Sequence, residues 1–85
     1  MNEVNMEDYR KRIEINPRIL AGKPVFKGTR IPIYVVLDML AESMTAEEIV
    51  KAYPDLTKED VSAAIRFASD SAKHIGEIEL ETAYR

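Results

Sequence analysis

The sequence predicts an α+β fold that is mainly α: short N-terminal β-strands followed by a three-helix, helix-turn-helix bundle of the homeodomain-like or winged-helix-like kind. Three observations predict it. The apolar pattern has period two around Ile13 and Ile15 and changes to helical spacing from Tyr34 onward. A capping box, Thr45 with Glu48, and a second cap, Thr57 with Asp60 as a weaker partner at N3, open helices in quick succession. Only Pro54, Asp55 and Leu56 lie between the second and third helical patterns, the spacing of a helix-turn-helix unit.

The elements follow in chain order. The 85 residues are enough for one domain and too few for two. Residues 1–11 are expected to be a flexible N-terminus, 12–74 a single domain and 75–85 a C-terminal tail or strand. Within the domain, 12–33 form the strand module and 34–74 the bundle. Arg12 to Ile15 alternates polar and apolar and predicts a strand. Asn16-Pro17 predicts a turn. Val25-Phe26, flanked by Gly22 and Gly28, predicts a second extended piece, and Thr29 to Ile33 a third. Pro32 has no N–H to donate, which confines that third piece to an edge or a strand end. Val36, Leu37, Leu40 and Ala41 repeat at helical spacing, and Val35 and Met39 make helix 34–42 apolar nearly all round, so burial is expected. The second helix starts at the Thr45 cap, with Met44 stapled onto Ile49, and ends near Tyr53. The third runs over 58–73, with Leu56 stapled onto Val61, and with Val61, Ala64, Ile65, Ala68 and Ala72 on its apolar face.

Charge is unevenly distributed. Residues 1–8 carry −3, residues 9–30 carry +6 and residues 31–85 carry −6, within a net charge of −3. A basic block on an acidic body either binds a polyanion or pairs with that body. No cysteine is present, which excludes disulfides and thiolate metal sites and fits a cytoplasmic setting. The polar, acidic N-terminus does not read as a signal peptide, and the apolar run from Ile31 to Leu37 is too short to cross a bilayer, so no membrane association is expected.

Neither catalysis nor a cofactor is expected. Gly22 to Arg30 fails as a phosphate loop: Lys27 precedes Gly28, five residues separate the glycines, and a proline-bearing segment follows in place of a helix. His74 is the only histidine, so no histidine pair offers zinc-ligand spacing, and its place near the predicted end of the third helix suits capping. The polar residues of that helix carry more information. At 100° per residue, Lys58, Ser62, Arg66, Ser69 and Lys73 share an arc of about 80°. It holds three positive charges and no acid, as a recognition helix would. Lys27 and Arg30 in the basic block add candidate phosphate contacts. The competing reading is an ordinary solvated face, since Glu59 and Asp70 border the arc. In the tail, Glu77, Ile78, Glu79, Leu80 and Glu81 alternate strictly, with Tyr84 on the side of Ile78 and Leu80. This predicts a strand formed against a partner or within the protein's own dimer.

These residues resemble a known family. Ile13, Ile15, Asn16-Pro17, Ile19-Leu20, Gly22 to Val25, and Lys27 to Ile33 carry the first half of the match. Leu37, Leu40, Met44-Thr45, Glu47 to Ile49, Tyr53-Pro54, Leu56-Thr57 and Glu59 to Val61 carry the second. Over about residues 12–70 the chain resembles domain-of-unknown-function family 433, small proteins of bacteria and archaea. The resemblance implies a helix-turn-helix-like fold and a non-enzymatic antitoxin-like role. The chain would neutralise a PIN-like ribonuclease toxin and bind its own operator DNA. Under that expectation Lys27, Arg30, Lys58, Ser62, Arg66 and Lys73 face nucleic acid. Ile78, Leu80, Tyr84, Glu77, Glu79 and Glu81 hold the toxin, and the protein is a homodimer. A stand-alone transcriptional regulator and a purely structural dimerisation module are the alternatives. The chain departs from the family's usual glycine at Ser43, just after the first helix, where serine costs stability if the position is left-handed, and at Ala21, where the turn before Lys23 is expected to differ.

Overall fold

The computed structural model describes the backbone of residues 9–83 and the side chains of residues 9–74. Strands β1 (Ile13–Glu14) and β2 (Val25–Phe26) pair antiparallel, with Ile13 opposite Phe26 and Glu14 opposite Val25. Between them the chain makes a 3-10 turn over Leu20–Gly22, and all three of its residues have positive φ (48°, 57° and 87°). The third extended piece expected over 29–33 reduces to one bridge between Val25 and Pro32. Pro32 cannot donate to a ladder, and the next N–H, that of Ile33, donates to Pro24 O at 2.9 Å and already opens a helix.

Three helices follow: α1 (Ile33–Ala41), α2 (Ala46–Ala52) and α3 (Lys58–Ala83). Helix α1 ends in a Schellman motif. Met44 N–H donates to Met39 O, Ser43 N–H donates to Leu40 O, and Ser43 sits at φ 71°. The predicted capping box forms, and the predicted Thr57 cap is reciprocal as well. The Thr45 and Glu48 side chains each accept the other's backbone N–H (3.1 and 2.8 Å), and Thr57 and Asp60 do the same (3.1 and 2.9 Å).

The main core joins the sheet to all three helices through Phe26, Ile33, Val36, Ile49, Leu56, Val61 and Ala64. Burying an aliphatic or aromatic side chain contributes about 1.5–3 kcal/mol, so the fully enclosed Phe26, Ile33, Ile49 and Val36 dominate this contribution. A second cluster pairs Tyr9 with Ala63, and Ile13 and Phe67 pack against both clusters.

Three expectations about the body are corrected. The fold begins before residue 12: Tyr9 is 3% exposed and its hydroxyl donates to Asp70 at 3.1 Å. Residues 1–8 of the expected flexible terminus lie outside the described residues. Helix α1 is not buried all round, because α2 and α3 cover the side of Ile33 and Val36 and leave Tyr34 exposed. Ile65 is likewise exposed, since it lies at the border of the face that Val61 and Ala64 bury.

The tail is not a strand, and α3 does not stop at residue 73; the helix runs on to Ala83. Once a helix is nucleated, each further residue adds a hydrogen bond for little entropy. Glu77, Glu79, Leu80, Glu81 and Ala83 are good helix formers, and that outweighs both the alternating pattern and Gly76. His74 therefore lies inside the helix and does not cap its end. Tyr84 lies outside the described residues, as do the side chains of Ile78, Leu80, Glu77, Glu79 and Glu81.

Candidate nucleic-acid interface

The α2–turn–α3 unit is held by local chemistry at its corners. Tyr53 N–H closes α2 onto Ile49 O, Leu56 N–H donates to Tyr53 O, and Thr57 then caps α3. Across the turn, Lys58 Nζ donates to Glu47 Oε2 at 3.1 Å, tying the first turn of α3 to α2. That bond from Lys58 is the chief reason the Glu47 carboxyl is held below the usual carboxylate range, helped by a backbone hydrogen bond and by the ammonium charge.

On α3 the arc is disposed as its spacing predicts. The helix buries Val61, Ala63 and Ala64, while Lys58, Ser69 and Lys73 are exposed and Ser62 and Arg66 are half-buried. Lys27 and Arg30 are exposed on a different element, the connection from β2 to α1. A turn over residues 26–29 sets up that connection. Thr29 N–H donates to Phe26 O at 3.0 Å, with Gly28 at φ 82° in its third position and Lys27 at its apex. The Thr29 hydroxyl locks it, donating to Phe26 O at 2.7 Å and accepting from Ile31 N–H at 3.0 Å. The predicted contacts thus fall into two groups, a helix face and a turn apex.

Three other cations of the basic block pair with the body. Arg12 donates to Asp60 Oδ1 at 3.2 Å, Arg10 lies 3.9 Å from Asp70 Oδ2, and the Lys23 ammonium sits 5.5 Å from the centre of the Tyr34 ring. Of the two readings of the block, pairing with the body holds for Arg10 and Arg12 and an open surface for Lys27 and Arg30. Sequence reasoning missed the role of Asp60 as a joint: one oxygen caps α3 and the other receives Arg12. The cap was legible three residues away, but the arginine 48 positions back left no local signal. Among the described residues, no group of three or more histidine, cysteine or acidic side chains is placed to hold a metal ion, and no helix is long and apolar enough to cross a membrane.

The family model described as "Protein of unknown function (DUF433)" matches residues 13–68. The chain belongs to the DUF433 family. The matched segment spans β1, β2, α1, α2 and the first part of α3, and it stops short of the helical extension beyond residue 68. This DUF433 protein is 36% identical over 59 residues to "Uncharacterized protein y4eO" of Sinorhizobium fredii (strain NBRC 101917 / NGR234). That stretch is 69% of this chain and 27% of the relative, so the chain spans about a quarter of the relative's length. It also resembles the crystal structure of a DUF433 member protein from Anabaena variabilis ATCC 29413. The TM-score is 0.68 and the identity 29%, covering 78% of this chain and 65% of that one.

Proposed function

We propose that this DUF433 protein is a non-enzymatic, antitoxin-type regulator. It contacts its own operator DNA through α3 and the Lys27–Arg30 turn, and it neutralises a PIN-like ribonuclease toxin. The observation that carries the reading is the capped α2–turn–α3 unit with Lys58, Ser62, Ser69 and Lys73 on the side of α3 away from Ala63 and Ala64. A helix so placed can meet phosphates with its lysines and base edges with its serines. The toxin half of the proposal draws support from the length of α3. Ala72, Lys73 and His74, three successive residues 100° apart, are all exposed, and the helix continues from them to Ala83. That acidic extension is a helix offered to a basic toxin surface, and the strand pairing expected from the alternation is abandoned.

Two measurements test the two halves. Binding of the full chain to duplex DNA from upstream of its own gene should fall steeply with salt. Lys73→Ala should lower the log–log salt slope by about one. Binding that is absent, or insensitive to salt, removes the DNA half. Deleting residues 76–85 should abolish rescue of cells that express a PIN-like ribonuclease encoded beside this chain's gene. Undiminished rescue by the truncated protein removes the toxin half.

A further inference from the structure

A groove of about 350 Å3 runs between β1 and α3, away from the α3 arc. It is lined by Tyr9, Arg10, Ile13, Ile15, Phe67 and Asp70. Three of its features belong together. Ile15, 62% exposed, is the most exposed of the large hydrophobic residues described, and it stands at the groove's own wall. The remaining walls are mostly apolar: Ile13 and Phe67 are half-buried, and the Tyr9 ring is enclosed. Arg10 and Asp70, 62% and 29% exposed, lie side by side 3.9 Å apart, at the long limit of an ion pair.

We propose that this groove is a homodimer interface and that its occupant is a second copy of this chain, related by a twofold axis. A twofold contact requires a patch complementary to itself, in which residue i meets residue j and j meets i. This patch has that property twice over. A protruding isoleucine lies beside an apolar hollow, so each Ile15 can fill the hollow of the other copy. A positive group lies beside a negative one, so each Arg10 can meet the partner's Asp70. A foreign partner would need only one half of each complement, whereas a second copy uses both. The contact is made by side chains and not by a continuous four-stranded sheet. A symmetric ladder centred on Glu14 would set two carboxylates directly opposite, which is unfavourable. Burial here also offsets the thin stability margin of a domain of this size. The interface is independent of the DNA and toxin readings, and its test uses neither ligand.

The full chain, 9.7 kDa, is expected to sediment as a dimer at micromolar concentration. Ile15→Glu should raise the dimer dissociation constant about tenfold or more, with the helical circular dichroism unchanged because Ile15 is outside the core. Arg10→Asp and Asp70→Arg should each be monomeric alone, since like charges then meet across the axis. Mixed one to one they should form a heterodimer, because both crossings again join opposite charges. A pair acting only within one chain cannot give that rescue. A monomeric wild type, an unaffected Ile15→Glu dimer, or charge variants that stay monomeric when mixed would each overturn the proposal.

Discussion

At the scale of single residues, backbone conformation creates the clearest opportunities. Ser43 at φ 71° and Ala21 at φ 57° occupy the left-handed region. That conformation costs about 1–2 kcal/mol for a residue with a Cβ, while glycine adds about 0.4–1 kcal/mol of unfolded-state entropy. Relief of the strain outweighs the added entropy, so Ser43→Gly and Ala21→Gly are each expected to stabilise the protein by about 0.5–1 kcal/mol in urea denaturation. Gly28→Ala should do the reverse. No atom lies within 4 Å of the added Cβ, so its cost comes from φ 82° alone. Glu47 is the residue with a pH signature. Its carboxyl is depressed in the folded state, chiefly by Lys58. Its contribution is therefore present above the unfolded pKa and is lost as pH falls through the lower folded value. Side-chain NMR titration should place Glu47 below the ordinary glutamate value, and Lys58→Ala should raise it back toward that value.

At the scale of elements, the two capping boxes set where α2 and α3 begin. Thr45→Ala and Thr57→Ala should each cost about 1 kcal/mol, the usual loss when a threonine cap is removed. Equilibrium denaturation measures the cost, and hydrogen exchange at the first-turn amides should rise locally. These starts were legible because a capping box is written within four residues. The end of α3 was not. Strict alternation over 77–81 reads as a strand, but a strand is stable only with a neighbour to accept its hydrogen bonds, whereas a helix already running from Lys58 needs none. The third N-terminal piece stops at a single bridge because Ile33, whose N–H closes that bridge on Pro24 O, is already the first residue of α1.

At the scale of the whole molecule, Asp60 joins the two halves. It caps α3 and receives Arg12 from the N-terminal segment, 48 residues away. Asp60→Ala removes both interactions and should cost about 1.5–2 kcal/mol by thermal or urea unfolding, a cap of about 1 kcal/mol plus a part-buried ion pair. Arg12→Ala removes only the second and should cost less than half as much. An equal loss in the two variants would mean that the cap contributes nothing. Tyr9 and Asp70 make a parallel tie farther along α3, 61 residues apart in sequence.

The sequence by itself determined the helix starts, the helical apolar positions Val36, Ile49, Val61 and Ala64, and the arc on α3. Each is encoded by residues within one or two turns of each other, so local spacing suffices. Only the tertiary structure decided how the basic block divides. Arg10 and Arg12 neutralise acids on α3, while Lys27 and Arg30 remain on an open turn. It also decided which apolar side chains lack cover: Ile15, Tyr34 and Ile65 match the pattern of core residues yet are exposed. Charge pairing and burial depend on what lies opposite in space, and residues 48 or 61 positions apart leave no mark of that in the spacing of either segment.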